Sequence, residues 1–172
     1  MKKRIILINS KARHGKDTLA TYIYKELEDI NKSCLISHNA KAVKDLAYNF
    51  YNWDGQKDKK GRKLLIDITD TGYNYDPYFW EKKNMINDFI RDVYIVPDWR
   101  YISSLDYFKD NNDIITVHIT RPNFENGLDE KLKNDKSEQG FEDFEFDFEV
   151  INNTLDDLRY ASKKIVERIL EK

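Results

Sequence analysis

The chain has 172 residues, enough to bury one core and short for two ordinary domains, so a single domain over 1–172 is expected. Its 29 Lys and Arg against 31 Asp and Glu leave a net charge of -2, which excludes a protein that holds nucleic acid by bulk charge; any polyanion has to be gripped locally. Cys34 is the lone cysteine and the three histidines are scattered, so neither an internal disulfide nor a zinc site is expected.

The first apolar run, Ile5 to Ile8 after Met1-Lys2-Lys3-Arg4, is too short for a signal peptide or a membrane span. The expected location is therefore cytoplasmic, without membrane association. "RIILIN" instead reads as a central parallel strand buried on both faces. It leads into "SKARHGKDT", after which Leu19, Ile23, Leu27 and Ile30 recur at helical spacing. "SCLIS" (33–37) is a second strand candidate, and "AKAVKDLAYNFYNW" (40–53) a helix. "DGQKDKKGRK" (54–63) is crowded with positive charge and reads as a surface loop. A helix is expected over 76–90, a third strand over 93–98 ending at Asp98, and a short helix in "SSLDYFKDNND". A fourth strand spans 114–121, where Arg121-Pro122 ends it. Residues 123–143 are polar without a steady period, as a mobile excursion would be. Phe144, Phe146 and Phe148 alternate with acids, which suits a half-buried strand, the alternative being an acidic, aromatic disordered stretch. Thr154 and Asp157 form a capping-box-like start to a last helix, whose buried stripe is Leu155, Leu158, Ala161, Ile165 and Ile169. Strands alternating with helices predict an α/β fold: a parallel sheet of about five strands with helices on both faces.

The segment between the first strand and helix nearly matches the phosphate-binding pattern G-x-x-x-x-G-K-[ST]. Ser10 takes the first glycine's place, Lys11 to His14 follow, and Gly15-Lys16-Asp17 is completed by Thr18 one place late. A tight turn of backbone N–H groups at a helix N-terminus surrounds an anion, helped by the helix dipole. Gly15 allows close approach, Lys16 supplies an ammonium for the β- and γ-phosphates, and the Thr18 hydroxyl reaches phosphate or hydrated magnesium. Asp17 has to turn away or act through water. Ala12, Arg13, His14, Gly15, Lys16, Asp17 and Thr18 are thus the candidate ATP-binding set. Asp98 ends the third strand, where open parallel sheets present ligand groups, and Arg100 lies two residues on with a planar fork suited to phosphate. Asp98 reads either as a magnesium-water or acceptor group or as a helix cap. The run Lys57, Lys59, Lys60, Arg62 and Lys63 reads on its own as a solvated face. His14, His38 and His118 have no visible nucleophile partner, so a hydrolytic triad is not supported.

"HGKDTLA" resembles the G-K-D-T loop of phage-type deoxynucleoside monophosphate kinases, within the adenylate-kinase-like P-loop nucleoside monophosphate kinases. The resemblance extends in order through "NAKAVKDLA" (with Lys44), "GRKLLIDI" (with Arg62), Trp80, "VPDWRYISSLDYF" (with Asp98 and Arg100), "VHITRP", "DKSEQG" and "VINNTLDDL". It departs at Ser10, at Ser104 in place of a glutamate, at Asp135 in place of a histidine, and near Tyr73, where the family often has an arginine. The resemblance implies a three-layer P-loop kinase fold with a lid insertion over about 122–140. It also implies transfer of the γ-phosphoryl group from ATP to a (deoxy)nucleoside monophosphate, with Mg2+ as cofactor. Lys16, Arg100 and Arg121 are then the catalytic candidates, with Arg121 also binding ATP. Lys44, Arg62, Asp98 and Arg100 would bind the acceptor, and Thr18 and Asp98 would hold the metal, directly or through water. The implied partners are ATP and the monophosphate, in the host cytoplasm if the protein is phage-encoded. The oligomeric state stays open, a homodimer being one option. Two rival readings share the donor loop: a P-loop kinase of another acceptor, such as a modified base in DNA or another small phosphate, and a non-catalytic NTP-binding regulatory protein.

Overall fold

The computed structural model describes residues 3–83, 91–109, 112–124, 141 and 143–171. Strand β1 (Lys3–Ser10) runs through the centre of the sheet, and Ile5, Ile6, Leu7 and Ile8 are fully buried, as an apolar run flanked by helices on both faces has to be. The other strands are β2 (Cys34–Ile36), β3 (Val93–Val96), β4 (Asn112–Thr120) and β5 (Phe148–Ile151). The sheet order is β2-β3-β1-β4-β5, and every pairing is parallel. All five strands therefore present their carboxyl ends at one edge.

Because side chains alternate along each strand, the two faces carry separate cores. Ile6, Ile8, Ile95, Val117 and Ile119 meet Leu19, Ile23 and Leu27 of helix α1 (Lys16–Asp29) and Leu158, Ile165 and Ile169 of a C-terminal helix, Leu155–Leu170. On the opposite face, Ile5, Leu7, Tyr94 and Val96 pack with Trp99, Phe108, Phe141, Phe144 and Phe146. Full burial of each such aliphatic side chain contributes about 1.5–3 kcal/mol. A third cluster sits among α2 (Ala40–Tyr51), α3 (Lys59–Tyr75) and α4 (Phe79–Lys83), around Val43, Ala47, Trp53, Ile68 and Trp80. Helix α5 (Ser104–Lys109) precedes β4, and α6 is the C-terminal helix. Among the described residues no helix is long and apolar enough to cross a membrane.

Several expected boundaries move. The charged stretch 54–63 is loop only as far as Asp58, whose carboxylate accepts from the Gly61 amide (2.7 Å) and caps α3; Lys59 to Lys63 are that helix's first turn. Gly72 sits inside α3 because a Cβ there would lie 2.5 Å from the Trp80 indole nitrogen. The helix expected over 76–90 is α4 over Phe79–Lys83, and 84–90 lie outside the described residues. So do 125–140, which hold most of the expected excursion and lid. The third strand ends at Val96, with Pro97-Asp98 already in a turn. Phe144 and Phe146 are half-buried but precede the last strand, which begins at Phe148. There the Asp147 carboxylate accepts from the Thr116 amide and hydroxyl (both 2.8 Å), so a side chain takes the place of a strand partner. In α6 the Thr154–Asp157 capping box is present and Leu158, Ala161, Ile165 and Ile169 are buried. Leu155, at the first helical position, is 56% exposed and does not belong to the stripe.

Candidate functional site

Four strand ends converge on one edge of the sheet. From β1 the chain passes through Lys11–His14 into α1, with Arg13 (φ 65°) and Gly15 (φ 102°) both left-handed. This alternation turns successive N–H groups toward one point. The N-cap of α1 is Gly15, which has no side chain to cap the helix, so the first-turn amides and the positive dipole end border the loop. Lys16 and Thr18 both belong to that turn. Asp17 turns outward: it pairs with the Lys16 ammonium, lies 4.0 Å from His38 Nδ1, and its side chain is 62% exposed.

The loop is held from behind by the ends of β4 and β5. Asn152, buried just past β5, donates from Nδ2 to the His14 carbonyl oxygen (2.8 Å), and a Cβ on Gly15 would lie 2.5 Å from that same nitrogen. The Arg121 amide, just past β4, donates to His14 Nδ1 (3.0 Å), which fixes that ring nitrogen as the unprotonated one. The Arg121 guanidinium stacks over Phe124 at 4.2 Å from the ring centre. Behind the loop, Asn9 donates to the Trp99 carbonyl (3.0 Å) and meets His118 Nδ1 (2.9 Å), which joins the ends of β1, β3 and β4. Burial lowers the His118 pKa, and neighbouring His14 and Lys11 lower it further against the opposing pull of Glu149.

After β3 the chain places Asp98 and Arg100 on either side of Trp99, whose ring is buried in the core and donates to the Ser104 hydroxyl (2.9 Å). Both Asp98 oxygens accept backbone amides at the start of α2, from Asn39 (2.8 Å) and Ala40 (2.9 Å). The side chain thus ties the β3 end to α2 while lining a cavity of about 440 Å³. Arg100 and Lys44 line the same cavity, with Val43, Leu65, Ile66 and Trp80 as apolar wall and Thr69, Asp70 and Tyr73 along one face of α3. Arg62 does not line it. It lies nearby on the first turn of α3, where its Nε donates to the Lys57 carbonyl (2.7 Å).

Lys57 shows how these cations gather. Its ammonium pKa is lowered, first by lost hydration and then by repulsion from Lys44, Arg62, Lys16 and Arg100. Four of the cations singled out in the sequence therefore lie close enough to Lys57 to act on it. Lys57 itself was hidden in an apparently solvated charge run, and its separation from the other lysines there is a property of the fold. Asn152 was likewise unmarked beyond its place in "VINNTLDDL". Beside the cavity, Glu81 is fully buried; burial raises its pKa, Oε1 accepts from the Tyr73 hydroxyl (2.9 Å), and Oε2 has no hydrogen-bond partner among the described residues. Among the described residues no group of three or more His, Cys, Asp or Glu gathers as a metal site.

No protein-family model and no curated protein sequence matches the chain. Solved structures do. The APS kinase of Mycobacterium tuberculosis in complex with AMPPNP and APS is similar over 99% of both chains, at 10% identity and a TM-score of 0.52. The fold is that of P-loop kinases. Thymidylate kinase from Ehrlichia chaffeensis (12% identity, 98% of this chain and 100% of that one, TM-score 0.48) and shikimate kinase from Aquifex aeolicus (17%, 98% and 96%, TM-score 0.44) are also similar.

Proposed function

We infer that this chain is a single-domain kinase that transfers the γ-phosphoryl group of ATP to a (deoxy)nucleoside monophosphate, giving the diphosphate. The observation that carries the reading is that Lys16 opens α1 beside the glycine turn while Lys44 and Arg100 line a largely apolar cavity, and all three, with Arg62, act on Lys57. A donor triphosphate on one side and an acceptor phosphate on the other would neutralise that charge together. The cavity behind would take the acceptor's nucleoside. The sequence resemblance to deoxynucleoside monophosphate kinases supports the same assignment of Lys44, Arg62, Asp98 and Arg100 to the acceptor.

In the reaction, an acceptor phosphate oxygen attacks the γ-phosphorus in line, and the bond from that phosphorus to the oxygen leaving with ADP breaks. Phosphoryl transfer asks a protein mainly for positioning and charge stabilisation. Lys16 follows the transferring group, the loop amides hold the β-phosphate, and Arg100 and Arg62 orient the acceptor. Arg121 borders the donor side, where its backbone is already anchored to His14. An acceptor phosphate needs no strong base, so none is assigned. A Mg2+ ion arriving with the ATP phosphates would offset charge on the transferring group. The Thr18 hydroxyl and, through water, the Asp98 carboxylate suit it, because magnesium keeps several waters and takes few protein ligands.

ATP consumption screened against the common ribo- and deoxyribonucleoside monophosphates, with the products identified by chromatography, tests this reading. A diphosphate formed in step with ADP is expected. Nucleotide binding with no turnover on any monophosphate would overturn it.

A further inference from the structure

The nucleoside end of the cavity carries a chemical bias of its own. Residues 66, 69, 70 and 73 recur at helical spacing, so Ile66, Thr69, Asp70 and Tyr73 share the face of α3 that lines it. Protons that could point from this wall are already engaged inside the protein. The Thr69 hydroxyl donates to the Leu65 carbonyl (2.7 Å), the Tyr73 hydroxyl to Glu81 Oε1 (2.9 Å), and the Trp80 indole N–H to the Thr69 carbonyl (2.9 Å). A hydroxyl that has given its proton away still has lone pairs, so Thr69 and Tyr73 meet a ligand as acceptors. Asp70 adds a carboxylate. The cationic groups Lys44 and Arg100 belong to α2 and the β3 end, leaving the α3 wall rich in acceptors.

On the reading that this cavity takes a nucleoside monophosphate, we propose that it selects bases carrying an exocyclic amino group, guanine foremost, over thymine and uracil. Guanine offers two adjacent donors, the ring N1–H and the 2-amino group, which fit the two oxygens of one carboxylate. Adenine and cytosine offer one amino group each. Thymine and uracil offer a single ring N–H between two carbonyl oxygens, and those oxygens would face the acceptors of α3. A polar mismatch in a dehydrated pocket weakens binding more than a missing apolar contact does. The apolar side chains Val43, Leu65 and Trp80 contact the ring without distinguishing bases.

The test is the ratio of kcat/KM for deoxyguanosine monophosphate to that for thymidine monophosphate, with ATP as donor, in the native protein and in Asp70→Asn and Thr69→Val. The native ratio is expected to be about tenfold or more in favour of guanine. Asp70→Asn puts an amide donor beside an acceptor and should lower the ratio several-fold. Thr69→Val removes an acceptor lone pair and should lower it less. A general loss of acceptor binding cancels in the ratio. A native preference for thymine, or a ratio unmoved by Asp70→Asn, would overturn the base assignment while leaving the kinase reading intact. Turnover of no monophosphate at all would overturn both.

Discussion

Gly15 joins the donor loop to the far end of the chain, and a single methyl group there has a calculable effect. In Gly15→Ala the residue must keep φ near 102°, a left-handed conformation that costs an L-residue about 1–2 kcal/mol. The new Cβ also falls 2.5 Å from Asn152 Nδ2 and 3.1 Å from Leu158 Cδ1, neither of which has room to stay. Displacing Asn152 lengthens its bond to the His14 carbonyl, which adds about 1 kcal/mol. The sum, about 2–3 kcal/mol, should lower Tm by about 4–12 °C in a protein of this size. Asn152→Ala loses the same hydrogen bond but removes the obstacle. Gly15→Ala/Asn152→Ala should therefore cost less than the two single changes added, by about 1 kcal/mol. Urea unfolding followed by tryptophan fluorescence measures the cycle, and calorimetric titration with ATP measures the loop, whose affinity should fall in Gly15→Ala. Strict additivity, or a Gly15→Ala protein as stable as the native one, would refute the argument that Asn152 sets the loop's shape.

Lys16→Ala should reduce phosphoryl transfer to near background in a coupled ADP assay while the protein stays folded by circular dichroism; its side chain is only 17% exposed, so trimming the stem should cost some Tm, whereas its ion pair with an exposed carboxylate adds little. Arg100→Ala should raise KM for the monophosphate about ten- to a hundredfold by initial-rate kinetics with ATP affinity nearly unchanged, and Arg100→Lys should restore only part because it lacks the fork. Asp98→Ala, which strips both amides at the start of α2 of their acceptor, should cost about 1–2 kcal/mol in urea unfolding. Glu81→Gln tests the buried carboxyl: its folded pKa is raised above the ordinary 4.5, so its contribution to stability is full below that value and is lost as pH rises through the folded pKa. The variant keeps an acceptor for Tyr73 and should flatten that decline in stability with rising pH, measured by unfolding at a series of pH values.

The strand, turn and helix that form the proposed donor loop are local features, which is why they are legible in the sequence alone. An apolar strand, a glycine-lysine turn and an amphipathic helix are contiguous, and each is recognised by its own period and residue types. The parallel sheet followed from the alternation of strands and helices, and the last helix from its capping box. Helix α3 was obscured because Gly61 and Gly72 depress helical propensity and its first turn is a run of charge; tertiary packing accounts for both glycines, since a Cβ on Gly61 would collide with the Gln56 carbonyl oxygen and one on Gly72 with the Trp80 indole. The tertiary structure alone brings Lys57 of that run within electrostatic reach of Lys16, Lys44, Arg62 and Arg100, while Lys63 pairs with Asp67 on the helix's outer side. It also decided that Asp98 caps a helix beginning 58 residues earlier in the chain, and that Asn152 grips a carbonyl 138 residues away. Neither contact leaves a periodic trace in the sequence. A hydrogen bond between distant segments depends on where the sheet brings their ends, and strand order is set by packing across the whole molecule rather than by the residues beside each strand.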